Sequence, residues 1–366
     1  MIHSLSALPT TIGQTASVLT VDSFWLSALI KVGVVLGLFF VVPLVGGYLE
    51  HKAMGRMQDR RGPVEAGPFG TLQLVADGIK FIQKEDVIPR AADRWAFAAA
   101  PGVALVPAML TFFVLPLAPG LWVEDLELGL FFALAVGSVG VLGVLMAGWA
   151  SANKFSLIGG IRAAAQLIAY ELPLIIAAAA VALQAESLSL VDIVNAQATF
   201  EIPGTSLNMW FAFPQILGLA IFFIAAMAEL SRPPFDMPIA DSELVFGYMT
   251  EYTGIKFAMF LLTEYGGMIS MSALITVLYL GGWQIAPGVG LPGCETAGMF
   301  DCGFLGGAIG LGVTLGKIMA LVFVFVWLRV AYPRLREDQL QKMSWLVLIP
   351  LSLVNILIVA LGKVAG

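Results

Sequence analysis

The stretch from Phe211 to Tyr252, FAFPQILGLAIFFIAAMAELSRPPFDMPIADSELVFGYMTEY, joins an apolar run of membrane-spanning length to a segment rich in carboxylates. The second half holds five acids and one arginine, namely Glu229, Asp236, Asp241, Glu243, Glu251 and Arg232. A charged side chain at the centre of a membrane helix costs about 2.5–3.5 kcal/mol on insertion scales, so such groups normally face water, protons or partners. The segment therefore indicates proton or ion handling beside a bilayer.

The composition of the whole chain is that of a membrane protein. Hydrophobic residues make up 59%, charged residues 12%, and the mean hydropathy is +0.91, far from the balance of a soluble domain. Apolar runs of spanning length lie near residues 24–49, 95–118, 128–150, 164–184, 211–230, 255–282, 305–331 and 344–362. Their helical length and lack of strand alternation predict an all-α polytopic membrane bundle of about eight helices, a single integral membrane domain over residues 1–366.

Alternate connections between these spans differ sharply in charge. The connections near 119–127, 185–210 and 283–304 contain no Lys or Arg, whereas residues 50–94 and the later alternate connections are basic. Loops that retain Lys and Arg stay on the cytoplasmic side. We therefore predict a multi-pass protein with both termini outside the cytoplasm, whose first span is a retained helix rather than a cleaved signal.

The basic connection over about 50–94 contains a second helical pattern. Leu72, Val75, Ile79 and Ile82 recur at helical spacing, with charged residues largely on the other side. This pattern predicts an amphipathic helix in the membrane interface. It could serve as a positive-inside anchor or as one wall of a lipid-facing entrance.

The acidic cytoplasmic loop, about residues 229–254, cannot form one continuous helix. Pro233, Pro234 and Pro238 interrupt it, and irregular backbone at membrane depth survives only against protein or a wet cavity. Closely spaced carboxylates release protons in coupled steps, so the loop is interpreted as a proton relay. The alternative is an ordinary solvated acidic face.

Three ionisable residues fall inside predicted spans: Glu171, Glu264 and Lys317. Such residues are functional candidates by default. Glu171 precedes Pro173, which either frees backbone carbonyls to hold water or simply kinks the helix. Lys317 either snorkels towards the membrane surface, forms a fixed pair with a buried acid, or takes part in proton transfer.

Resident redox centres are not expected in this chain. Iron–sulfur clusters take about four thiolates, whereas the sequence has two Cys and two His, and no GxGxxG opens a strand–helix unit. We predict no metal site. Cys294 and Cys302 share one outer loop, as a disulfide or as two free thiols.

Four segments together resemble the signature regions of one membrane-protein family. They are AELSRPPFDMPIADSELVFGYMTEY, EHKAMGRMQDRRGP, GPFGTLQLVADGIKFIQKEDVIP and ASANKFSLIGGIRAAAQLIAYELPL. The family is the H subunit of bacterial proton-pumping NADH:quinone oxidoreductase, equivalent to the first subunit of mitochondrial respiratory complex I and to the A subunit of cyanobacterial and plastid relatives. The resemblance implies a bacterial plasma membrane location.

The resemblance also implies roles for individual residues. A proton relay from the quinone cavity would comprise Glu171, Glu229, Asp236, Asp241, Glu243, Glu251 and Glu264. The quinone chamber, enclosed by the first, interfacial and sixth helices, would be lined or supported by Glu50, His51, Arg56, Arg60, Arg232 and Arg329. The chain departs from the family pattern at His51, Val64 and Ile239, where Arg, Asn and Glu are usual.

By the same resemblance, quinone is the substrate, and FMN and iron–sulfur clusters belong to partner subunits. Partners would be hydrophilic quinone-module subunits on the cytoplasmic side, small and antiporter-like membrane subunits laterally, and lipid, but no nucleic acid. Membrane-bound hydrogenases and ferredoxin-linked quinone reductases share this subunit, so the electron donor stays open. A stand-alone ion-coupled transporter, for which we find no internal repeat, and a purely structural anchor are further alternatives.

Overall fold

The computed structural model describes residues 24–200, 209–287 and 304–365, which form helices and connections with no β-strand. Cys294, Cys302 and the side chain of Asp241 lie outside the described residues. The helices are α1 (Phe24–Met57), α2 (Gln73–Gln83), α3 (Arg94–Val114), α4 (Gly129–Ala150), α5 (Lys154–Ala185), α6 (Leu190–Thr199), α7 (Ile216–Glu229), α8 (Asp241–Leu244), α9 (Gly254–Tyr279), α10 (Phe304–Ala331), α11 (Glu337–Met343) and α12 (Ile349–Ala365).

The spanning helices confirm the predicted fold class. In the described part of the chain, seven helices are long and apolar enough to cross a membrane, and α7 is a shorter apolar helix. One of the seven runs through α11, a π-helical turn over Ser344–Leu348, and α12. The chain is therefore an all-α polytopic membrane bundle.

Local sequence signals move several helix ends away from the predicted boundaries. Helix α5 begins at Lys154 rather than near 164, because the side chain of Asn153 accepts a hydrogen bond from the Phe155 amide at 2.9 Å and caps the helix. Helix α7 begins at Ile216 rather than near 211, after a turn that contains Pro214. Helix α1 continues through the charged residues after Leu49 to Met57.

The interfacial helix α2 packs against α1 and α9. A Cβ atom on Gly47 of α1 would lie 3.0 Å from Leu74 of α2 and 3.5 Å from Tyr265 of α9, so a small residue is needed where the three helices meet. The apolar side chains of Val75 and Ile79 on α2 are nevertheless exposed. Exposed apolar residues on an amphipathic helix are typical of one that lies in a bilayer interface.

The loop between α7 and α9, residues 230–253, is folded tightly against α5. Gly247 adopts a positive φ of 56°, and a Cβ atom there would lie 1.8 Å from the carbonyl oxygen of Pro238. On the other side, a Cβ atom on Gly159 of α5 would lie 2.7 Å from Cα of Gly247. These close backbone contacts hold the acidic loop at one end of the bundle.

Replacing Gly247 by Ala is expected to destabilise the protein by at least about 2 kcal/mol, because the left-handed conformation and the steric clash act together. The measurement is the thermal midpoint of the protein purified in mild detergent. Gly78→Ala is the control, because a Cβ atom there meets nothing within 4 Å and Ala favours helix. Equal midpoints for the two variants would contradict this account of the loop.

Candidate functional site

A buried network of opposite charges joins α1, α9, α10 and the loop after α7. Glu50 on α1 is 1% exposed and accepts hydrogen bonds from Arg232, at 2.8 Å, and from Arg329 on α10. Arg232, itself 3% exposed, places its Nε 3.1 Å from Oε1 of Glu264. Its guanidinium also lies 4.9 Å from the ring centre of Tyr265. Arg232 therefore contacts two carboxylates that belong to different helices.

The charges in this network balance. Two carboxylates face two guanidinium groups, which is the condition under which buried ions become tolerable. Burial works to lower the pKa of Arg232, but Glu264 and Glu50 outweigh burial and raise that pKa above its ordinary value. Arg232 is thus a permanent cation held between two acids.

A cavity of about 150 Å³, here called the acid cavity, lies beside this network. Glu171 from α5, Glu229 from α7 and Glu264 from α9 line it, and its other polar lining residues are Thr111, Ser138, Ser231, Tyr248, Thr263 and Ser270. The Oε2 atom of Glu229 is shielded from solvent and has no hydrogen-bond partner among the described residues. A shielded carboxyl oxygen of this kind needs a proton or a water molecule, and a water needs only roughly 10–15 Å³.

A second space, the α1–α10 groove, has a volume of about 750 Å³ and is lined in part by Glu50. Lys52 and Arg56 line its α1 wall, and Lys52 donates a hydrogen bond to the carbonyl oxygen of Pro63 at 2.5 Å. The remaining lining is apolar: Leu49, Ala53, Met57, Gly316, Met319, Ala320, Val322, Phe323 and Val326. An apolar groove of this size with a few convergent charges is typical of a small-molecule site.

The two later acids of the loop are held by polar contacts near the loop surface. Glu243 is half-exposed and accepts a hydrogen bond from Arg162 at 2.6 Å, with Arg334 at 3.3 Å. Glu251 accepts a hydrogen bond from Asn153 at 2.5 Å. The hydrogen bond from Arg162 and the charge of Arg334 hold the pKa of Glu243 below its ordinary value. Glu243 is therefore a fixed anion at neutral pH.

The other predicted site residues lie around these spaces. Asp236 is half-buried in the loop, and the side chain of Asp241 lies outside the described residues. Ile239, where the family pattern has Glu, lines the acid cavity as an apolar residue. His51 follows Glu50 on α1, and Arg60 lies in the turn after that helix.

One residue that the sequence patterns did not single out is Gln166 on α5. It is fully buried, and its amide nitrogen donates to the carbonyl oxygens of Ala228, at 2.6 Å, and Phe235, at 2.8 Å. The available signal is a polar amide in a predicted membrane span, where such residues usually hydrogen-bond to a neighbouring helix. That signal is weaker than the signal of a carboxylate in the same span.

Lys317 is paired with backbone rather than with a buried acid in the described structure. Its ammonium donates to the carbonyl oxygens of Leu280 at 2.6 Å, Gly282 at 2.9 Å and Gln284 at 2.6 Å. It also lies 4.2 Å from the ring centre of Trp210. The lysine caps the C-terminal end of α9, where a positive charge favours the helix dipole.

Comparison with known proteins gives consistent results over nearly the whole chain. The family model described as NADH dehydrogenase matches residues 30–360. The H subunit of NADH-quinone oxidoreductase from Geobacillus kaustophilus (strain HTA426) is 45% identical over 315 residues, covering 86% of this chain and 87% of the relative. The protein of the same name from Bacillus thuringiensis (strain Al Hakam) is 44% identical over 345 residues, covering 93% and 96%.

Replacing Glu50 by Gln is expected to destabilise the protein by about 3–5 kcal/mol, because two guanidinium groups then lose their shared buried anion. The thermal midpoint in mild detergent measures this. Lys80→Gln is the control, since Lys80 is 62% exposed in its pair with Asp77 and such pairs contribute below about 1 kcal/mol. A Glu50→Gln midpoint no lower than that of the control would contradict a stabilising network.

The lowered pKa of Glu243 gives a pH prediction. Its ion pairs stabilise the fold above the unfolded-state pKa of about 4.3, and this contribution is lost as pH falls through the lower folded-state pKa. The difference in thermal midpoint between wild type and Glu243→Gln should therefore stay constant from about pH 6 to 8 and shrink only below about pH 4. Glu65→Gln, at an exposed residue, is the control. A change in the difference near neutral pH would show that Glu243 titrates there instead.

Proposed function

The chain belongs to the family of H subunits of NADH-quinone oxidoreductases, and on that premise we propose that it forms the quinone-access chamber and couples quinone reduction to proton translocation. It is a membrane subunit of an enzyme complex. The contact of Arg232 with both Glu50 and Glu264 carries the proposal. Glu50 lines the α1–α10 groove and Glu264 lines the acid cavity, so one guanidinium touches residues of both spaces.

The proposed quinone chamber comprises the α1–α10 groove and the charged network at its head. The groove's apolar walls suit an isoprenoid tail, and Glu50, Arg232 and Arg329 suit a polar headgroup that gains charge on reduction. Arg56 lies in the groove wall, His51 lies at the same end of α1 and Arg60 lies in the turn that follows that helix. We propose that His51 and Arg60 support the headgroup site. The α1–α2–α9 junction would close the neighbouring side of the chamber.

The proposed coupling step is electrostatic. Quinone takes up two electrons and two protons to give quinol, and negative charge on its oxygens before protonation attracts nearby guanidinium groups. Coulomb terms are large in a site shielded from water, so a shift of Arg232 toward the quinone weakens its contact with Glu264. Loss of that cation favours protonation of Glu264 from the acid cavity. Redox chemistry in one space thereby changes proton occupancy in the other.

Glu264, Glu229 and Glu171 are the proposed proton carriers, because they share one cavity. Asp236, Asp241, Glu243 and Glu251 are proposed to link the chamber to this cavity, with Glu243 acting as a fixed negative charge beside the path. Ile239 removes one carboxyl from the usual series, so water in the acid cavity would bridge that position. Protons would then move along water and the three cavity acids.

The remaining components of the reaction would come from partners. Among the described residues, no group of three His, Cys, Asp or Glu side chains could hold a metal ion. We propose that flavin and iron–sulfur clusters reside in other subunits, which relay electrons to the quinone. Hydrophilic subunits would dock on the basic loops at the cytoplasmic side and other membrane subunits laterally, with both termini of this chain on the opposite side.

Replacing Arg232 by Gln in the reconstituted complex should lower quinone reduction at least about tenfold, or by about 1.4 kcal/mol in activation free energy. Proton translocation per quinone should fall as well, because the link to Glu264 is lost. Turnover with a soluble quinone and acidification of proteoliposomes measure the two effects. Lys363→Gln, which removes a partner of Glu186 at the far end of the bundle, is the control. Full retention of both activities in an assembled Arg232→Gln complex would refute the proposal.

A further inference from the structure

Gln166 holds both ends of the segment that carries Arg232. Its amide nitrogen donates to the carbonyl oxygen of Ala228 at the end of α7 and to that of Phe235 in the loop. Arg232 lies between these two anchor points in the chain. Its own backbone carbonyl accepts a hydrogen bond from the Phe235 amide at 2.8 Å. The position of the guanidinium is therefore tied through one short turn to one glutamine side chain.

The same face of α5 fixes neighbouring parts of the site. Arg162, Gln166 and Tyr170 follow one another at helical spacing. Arg162 pairs with Glu243, and the Tyr170 hydroxyl donates to the carbonyl oxygen of Leu340 at 2.9 Å. Gln166 occupies the centre of this row and is the member directed at the Arg232 turn.

The hydrogen bonds of Gln166 are hard to replace. The residue is fully buried, so water cannot readily supply substitute donors, and a buried carbonyl that loses its donor pays a desolvation penalty. The loss falls mainly on the Phe235 carbonyl, because the Ala228 carbonyl also accepts a hydrogen bond from the Ser231 amide at 3.1 Å. A side chain of the same size without donors would thus release the turn while still filling the space.

We propose that Gln166 is a positioning residue that sets Arg232 between Glu50 and Glu264, and so determines how strongly quinone chemistry acts on the acid cavity. This inference rests on the proposed function. The glutamine acts through Arg232, since its amide nitrogen bonds to backbone carbonyls while the arginine itself contacts the two carboxylates. Removing the glutamine and removing the arginine should therefore impair the same step.

A double-mutant cycle in the reconstituted complex tests this. We expect Gln166→Met to lower turnover about tenfold and to lower protons translocated per quinone, and Gln166→Met with Arg232→Gln to match Arg232→Gln alone within about twofold, because coupled residues are not additive. Gln197→Met is the matched control. Gln197 is equally buried and donates to the carbonyl oxygens of Val277 at 2.7 Å and Ile193 at 3.3 Å. Its effect should multiply with that of Arg232→Gln.

The outcomes separate the two proposals. If Arg232→Gln impairs turnover but the Gln166→Met effect multiplies with it, the positioning role is overturned while the proposed function stands. If Arg232→Gln alone has no effect, both fall together. Should Gln166→Met fail to assemble, Gln166→Asn replaces it in the double-mutant cycle, because Asn keeps the amide donors but shortens the side chain. The two readouts and the criterion of non-additivity stay the same.

Discussion

The contact of one buried guanidinium with two carboxylates is the constraint on which the rest of the structure depends. Arg232 is a cation at 3% exposure, and Glu50 and Glu264 both face it and so offset the cost of burying its charge. These contacts bring α1, α9 and the loop after α7 to one point. Of the two carboxylates, Glu50 lines a largely apolar groove and Glu264 lines the acid cavity. The contacts of Arg232 with Glu50 and Glu264 therefore underlie both the packing of these elements and the proposed coupling.

The surrounding fold can be understood as support for that point. Gly47 allows α1, α2 and α9 to approach one another, and Gly247 lets the acidic loop turn back without a steric clash. Arg162 and Gln166 on α5 then hold the loop through hydrogen bonds to the Glu243 carboxylate and to the Phe235 carbonyl oxygen. Two carboxylates of the loop also help to hold it in place, since Glu243 is bound to two arginines and Glu251 to an asparagine.

Sequence patterns predicted the helical bundle and the interfacial helix because bilayer thickness and hydropathy dictate helix length and burial directly. They also singled out Glu171, Glu229 and Glu264, which share one cavity. They could not show that Arg232 contacts Glu50 of the α1–α10 groove as well as Glu264 of the acid cavity, since Glu50 lies far from Arg232 in the chain. Gln166 was not singled out because its importance depends on which backbone carbonyls it donates to. For the same reason the sequence could not show that Lys317 donates to backbone carbonyls rather than to an acid. Pairing partners across helices follow from packing, not from local periodicity.

Redox-induced infrared difference spectroscopy of the reconstituted complex tests the central claim most directly. Reduction of the quinone should change a carboxyl band that disappears in Glu264→Gln and is therefore assigned to Glu264. In Arg232→Gln, where Glu264 is intact, that band should no longer respond to the redox state of the quinone. An unchanged redox response of the Glu264 band in Arg232→Gln would contradict electrostatic transfer through the arginine.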